Sequence, residues 1–280
     1  MKTQEALERR LPLALAAALY TVLGLVYLRP IWRVWQDRIA PNTEDPVFNL
    51  WILKWGAHQL RMGLPDLWNA NIFHPTRGTL ALSDHLLGPA AQLALFEKVV
   101  PNAIAGYNFL FFTSFVLAGL AVCWIVRRSG ASWTAAVLAG AMFAFSPFRI
   151  GQLNHLQLLL VQWVPLTLWF WDRLLAERTL RSAVPFLAFY LLNVTGGSYL
   201  AYMIHIPMLV MLLNRAAVHG RELIAWRSLR VLVPALLVAG AVLVYVFLPY
   251  VHLNRELGLA READEIGLYG AAFPSWLSPA

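Results

Sequence analysis

Three groups of polar residues in an otherwise apolar chain have the types and spacing to do chemistry. The first is Glu44-Asp45, followed at once by Pro46. A carboxylate in a membrane-surface cleft can act as a general base, taking a proton from an attacking hydroxyl. Adjacent residues at a helix start point in different directions, so only one of the two faces any cleft. Asp45 before Pro46 also fits an ordinary helix N-cap with proline at the first helical position. The second group is Ser83-Asp84-His85, with His74 and Arg77 shortly before it. Asp84 could orient His85, or the two could hold a divalent cation such as Mg²⁺ or Mn²⁺, or the loop could simply be held by its own hydrogen bonds. The spacing matches no metal signature, so no cofactor is assigned. The third group runs from Phe145-Ser146-Pro147-Phe148-Arg149 to Asn154-His155-Leu156-Gln157. An arginine at headgroup depth beside a histidine and amides suits a lipid-linked phosphate, and it equally suits plain snorkelling at an interface. Gln157 and Gln162 also suit hydrogen bonds between helices.

The elements that must position these groups are membrane helices. Hydrophobic residues make up 59% of the 280 and charged residues only 13%, against about a quarter charged in soluble domains. Mean hydropathy is +0.59. A soluble globular protein and a disordered one are both excluded, leaving a class that can face lipid. The net charge of +7 is the Lys/Arg excess of cytoplasmic loops rather than a nucleic-acid footprint, because the basic residues are scattered between apolar runs. One cysteine, Cys123, precludes a disulfide framework.

Runs near the roughly 20 residues that cross a bilayer predict about seven transmembrane helices, at 11–28, 106–126, 133–148, 156–171, 184–196, 198–213 and 231–250. The fifth and sixth are separated by Thr195-Gly196-Gly197-Ser198, read as a tight turn. The first is read as a span rather than a signal peptide, since its 18 residues exceed the usual apolar region of a leader. With the amino terminus inside, the short cytoplasmic segments hold twelve basic residues: Lys2, Arg9, Arg10, Arg127, Arg128, Arg173, Arg178, Arg181, Arg215, Arg221, Arg227 and Arg230. Arg149 alone lies in the short outer connections. This predicts an integral membrane protein of a plasma membrane, with the loop 29–105 and the tail after Tyr250 on the extracytoplasmic side.

The outer loop is longer than a simple bundle requires. Pro46 to Met62 carries Lys54, His58 and Arg61 as a basic stripe opposite Trp51 and Trp55, which predicts an interfacial helix with its tryptophans at headgroup depth. Leu86 to Val100 is too short to span and reads as re-entrant or interfacial. Ala136, Gly140 and Ala144 form a small-residue ridge for helix packing, and His205 reads as a core histidine. With no internal repeat, residues 1–280 form a single polytopic membrane domain.

This layout resembles the GT-C class of integral-membrane glycosyltransferases. More narrowly, Asp45-Pro46 with Asn49-Leu50-Trp51, then Ser83-Asp84-His85, then Phe145 to Arg149 running into His155-Leu156-Gln157, is similar to the bacterial RgtA/B/C/D-like multispanning proteins. The resemblance covers roughly residues 30–200. It implies transfer of a sugar from a polyprenyl-phosphate donor to an extracytoplasmic glycan, lipid or protein acceptor, with inversion, in the bacterial inner membrane. It implies further that Asp45 or Glu44 is the catalytic base. Arg149 would steady the phosphate, and Arg77, Asp84, His85, Asn154, His155 and Gln157 would bind substrate. Members of that class usually have more spans and often a soluble outer domain, whereas this chain ends at Pro274 to Ala280, as a fragment or reduced member would. The alternative is a non-catalytic transporter or envelope assembly factor. A transporter would place polar residues at mid-membrane on broken spans, and the Thr195 to Ser198 break is of that kind.

Overall fold

The computed structural model describes residues 2–39, 44–258 and 267, with side chains from Pro12 onward except that of Pro30. Thr43, and the tail from 259 apart from 267, including the closing Pro274 to Ala280, lie outside the described residues. Thirteen α-helices and two short 3₁₀ turns make up the described secondary structure, with no strand among the described residues. In chain order the helices are α1 (Lys2–Tyr27), α2 (Arg29–Trp32), α3 (Asp45–Met62), α4 (Leu87–Phe96), α5 (Ala103–Arg128), α6 (Trp133–Ala144) and α7 (Pro147–Gly151). They continue with α8 (Leu156–Leu159), α9 (Val164–Glu177), α10 (Leu180–Val194), α11 (Ser198–Met203), α12 (His205–Leu223) and α13 (Trp226–Leu257).

Among the described residues, four helical stretches are long and apolar enough to cross a membrane: 103–128, 133–151, 198–223 and 226–257. The fold is that of a helical membrane protein, in which four of the about seven expected spans meet this length among the described residues. The apolar part of α1, Pro12–Tyr27, and helix α10 are shorter. The stretch 156–171 is not one helix. It is α8, then a 3₁₀ turn at Val161–Trp163, then α9, which has Pro165 in its first turn. Proline has no N–H to give and its ring clashes with the preceding turn, so a helix restarts there rather than continuing through.

Local chemistry sets the other boundaries. The Asn102 side chain accepts from Ala105 N to start α5, and Arg127 and Arg128 sit in its last turn, where the helix dipole favours cations. Thr179 and Ser182 form a reciprocal capping box at the start of α10. Gly63, at φ 83°, ends α3.

The ridge of Ala136, Gly140 and Ala144 does pack. A side chain at Gly140 would collide with the Tyr20 hydroxyl and the Gly119 carbonyl, so α5 and α6 approach closely at their glycines and the fully buried Tyr20 ring of α1 fills the space against both. Its hydroxyl donates to Val137 O at 2.9 Å. Cys123 is buried in the same cluster.

Helix α3 packs on α4 with Gly56 against Ala90, where a Cβ at the glycine would lie 2.6 Å from the alanine methyl. Lys54 and Arg61 both pair with Glu97. The basic stripe is therefore a clamp onto the end of α4. Trp51 and Trp55 pack on the core rather than outward, and Trp55 Nε1 donates to Leu67 O at 2.8 Å.

Contacts sort the bundle into two ends. Asn108, near the start of α5, donates to Trp35 O and Arg38 O, and Tyr250 of α13 donates to Ser83 O. At the other end Pro12 lies beside Trp133, Arg128 beside Arg173 and Arg181, and Arg215 beside Asp172.

Candidate functional site

Helix α3 begins at Asp45, and Glu44 occupies the N-cap position without a side-chain cap bond. The N-cap reading of Asp45 therefore fails. Its carboxylate reaches across to the segment after α7, where His155 Nε2 lies 3.1 Å from Asp45 Oδ2. The carboxylate is 54% exposed and His155 39%, so the pair is open to solvent from one side. His155 Nδ1 is buried without a partner. A ring carrying its proton on Nε2 donates to the carboxylate and fixes its orientation.

One helical turn further along, on the same face of α3, is Asn49, buried to 3% exposure. Its Nδ2 donates to Gln157 Oε1 at 3.2 Å. Two parallel links, Asp45 to His155 and Asn49 to Gln157, thus tie α3 to the start of α8. Beneath them the Tyr107 hydroxyl of α5 is buried with no hydrogen-bond partner, within electrostatic reach of the Asp45 charge.

Asp84 continues this polar strip. Its Oδ1 accepts from Ser198 N at 2.6 Å and also from the Ser198 hydroxyl. The break between α10 and α11 makes this possible. A Cβ at Gly197 would lie 3.4 Å from both Asp84 Oδ1 and Gln157 Cβ, so only backbone separates the two. Gly88 N donates to Thr195 O at 2.8 Å, and a Cβ on Gly88 would lie 2.7 Å from Thr195 Oγ1. The segment 83–88 thus packs against both sides of the break, at Thr195 and at Ser198. Asp84 therefore does not orient His85.

His85 is 1% exposed and lies against Trp68, ring centroids 6.3 Å apart, with Tyr250 edge-on. Burial pulls its pKa down from 6.5 to about 4, an effect that the Val194 carbonyl only partly offsets. Burial in this aromatic setting thus favours the neutral ring.

Arg149 is elsewhere. It is 2% exposed, with Nη1 donating to Ala144 O at 2.7 Å and Nη2 to Leu159 O at 2.7 Å and Ser114 Oγ at 3.0 Å. The guanidinium also lies 4.0 Å from the Phe115 ring centroid. These contacts tie the α6 end and the α8 end to α5, so the charge is engaged by the protein's own groups rather than presented at a surface. Arg77 is exposed on a cleft of about 620 Å³ with Asp66, Asn69 and His74, whose lining includes none of Asp45, Asp84 or His155. Asn154 is half-buried in the turn before His155.

The structure thus brings together Asp45, His155, Gln157 and Asp84, sets Arg77 and Arg149 apart from them, buries the His85 ring against Trp68 and Tyr250 beside Asp84, and adds Asn49, Tyr107 and Ser198. Asn49 could have been found from its i, i+4 spacing to Asp45. Nothing local marks Tyr107. Among the described residues no three His, Cys, Asp or Glu side chains converge where they would hold a metal ion. Asp45 and Asp84 serve as separate carboxylates.

An all-helical bundle of membrane type with a half-open polar strip at one end defines the class of protein. Residues 12–280 match the family described as domain of unknown function DUF6311, and the chain belongs to that family. No curated protein and no solved structure matches it.

Proposed function

We propose that this chain is a membrane glycosyltransferase that moves a sugar from a polyprenyl-phosphate donor to an extracytoplasmic acceptor with inversion. The observation that carries this reading is Asp45: an exposed carboxylate, released from capping, held by His155 at the mouth of a polar strip. In the reaction Asp45 takes the proton of the acceptor hydroxyl as its oxygen attacks the anomeric carbon. The bond from that carbon to the phosphate oxygen breaks on the opposite face, and polyprenyl phosphate leaves. His155 holds the carboxylate, and the buried Asn49 holds the partly exposed Gln157, whose amide is offered to sugar hydroxyls. Glu44, next in the chain, is the second acid of the pair. The donor phosphate is not assigned to Arg149, which is 2% exposed and whose Nη1 and Nη2 already donate to the protein's own groups.

The same reading keeps the orientation given by the arginines, with the amino terminus inside and Asp45 outside a bacterial inner membrane. The helix directions support seven passes between two ends, α8 through α9 making one pass despite its break. The competing reading, a transporter built on the Thr195 to Ser198 break, is weakened because Asp84 already occupies the freed donors of that break.

Mass spectrometry of lipid-linked sugars tests the proposal in cells carrying the native gene, a deletion, or Asp45→Asn at normal protein level. Accumulation of one polyprenyl-phosphate sugar in both altered strains is expected. A deletion phenotype that Asp45→Asn fully rescues would remove Asp45 as the base.

A further inference from the structure

The other end of the bundle holds a pocket of about 610 Å³. With 26 residues, α5 is about 39 Å long, so Arg128 lies far from Tyr107 and the Asp45 site. This helix exceeds the roughly 30 Å hydrocarbon layer, which sets its arginine end at headgroup level. The pocket lies between the end of α5, the end of α9 and the start of α10, and Trp124 and Phe170 form its apolar wall. Three arginines line it. Arg173 is engaged, its Nε donating to Glu177 Oε1 at 2.8 Å. Arg128 stacks at 5.1 Å over Trp124 and has no ion pair among the described residues. Arg181 has neither a hydrogen bond nor an ion pair among them, and both are exposed.

We infer that this pocket binds the phosphate headgroup of an anionic lipid. Two guanidinium groups with unused donors line one concave space in which the Glu177 carboxylate is already held by Arg173, and paired arginine forks suit a phosphate far better than a carboxamide or a sugar. Thr179 and Ser182 line the same space, but their hydroxyls close the α10 capping box, so the arginines are the principal donors. The aromatic wall supplies what a free anion does not need, an apolar face for the glycerol and first acyl carbons. A general excess of arginine at a cytoplasmic face requires no pocket and no such wall. The occupant is thus a lipid of the leaflet that meets the arginine-rich end, independent of any reaction at Asp45.

Native mass spectrometry of the purified, delipidated full chain tests this, titrated with phosphatidylglycerol or with phosphatidylcholine of the same acyl chains. A parallel arm adds sodium phosphate to the phosphatidylglycerol complex. Phosphatidylglycerol is expected to bind at least tenfold tighter, and Arg128→Gln with Arg181→Gln to abolish that preference while the unfolding temperature without lipid stays unchanged. Removing two exposed charges from the same end, by Arg221→Gln with Arg227→Gln, is expected to leave the preference intact. Equal binding of the two lipids overturns the inference, as does a preference that survives loss of Arg128 and Arg181, or an equal loss in the control pair. Displacement of phosphatidylglycerol by millimolar phosphate would show a simple anion site and overturn the lipid assignment.

Discussion

At the residue scale, the difference between Asp45 and Arg149 decides the chemistry. Both were legible as polar residues near a membrane face, and the sequence could not separate them, because a snorkelling, a clamping and a buried arginine share one letter. Burial separates them: Asp45 remains open while Arg149 is used to tie α5, α6 and α8 together. Arg149→Met therefore lowers stability by on the order of 3 kcal/mol, by leaving buried carbonyls unpaired, and Arg149→Lys recovers little of it. A thermal melt in detergent reads this, and a variant that melts like wild type with only a raised KM would restore the phosphate-clamp role. His85 gives a pH dependence. Its folded pKa, about 4, lies below the ordinary 6.5, so the unfolded chain binds more protons between those values. The neutral-ring contribution is complete above about pH 6.5 and falls as pH drops toward 4, by up to about 1.4 kcal/mol per unit. His85→Phe is expected to flatten that part of the stability profile, and an unchanged slope would mean that the ring protonates without cost.

At the scale of elements, the apolar runs gave the helices and the small residues gave their contacts. Gly140→Ala forces a methyl against Tyr20 and the Gly119 carbonyl, and should cost about 1–3 kcal/mol in an unfolding titration. If it is neutral, the close approach of α5 and α6 is wrong. What the sequence concealed was continuity. The run 156–171 satisfies a hydropathy count, yet it is broken between α8 and α9, and it is the short α8 with its N-cap His155 that meets α3. The Thr195 to Ser198 turn was readable as a break, but its partner was not, because Asp84 lies 114 residues away and no local pattern encodes that distance. Lys54 and Arg61 read as the basic stripe of an interfacial helix, opposite its tryptophans, for the same reason: their partner, Glu97, caps the end of α4, far away in the chain.

At the scale of the whole molecule, the polar strip and the arginine-rich pocket occupy opposite ends, and the account requires the first to face outward. In a Cys123→Ala background, Asp37→Cys should react with a membrane-impermeant maleimide in intact cells, and Arg227→Cys only after permeabilisation. The reverse pattern would put Asp45 in the cytoplasm, away from an extracytoplasmic acceptor. The central claim, that Asp45 is the base of a transfer from a lipid-linked donor, is tested most directly with the donor itself. Lipids extracted from the deletion strain, which hold the unspent donor, are given to proteoliposomes of wild type and Asp45→Asn together with an acceptor-containing envelope fraction. Release of polyprenyl phosphate is then followed by mass spectrometry. Wild type should release it, and Asp45→Asn about 10²–10⁴-fold more slowly at equal folded protein, as expected for loss of a general base. Equal release by both, or none by correctly folded wild type, would contradict the account.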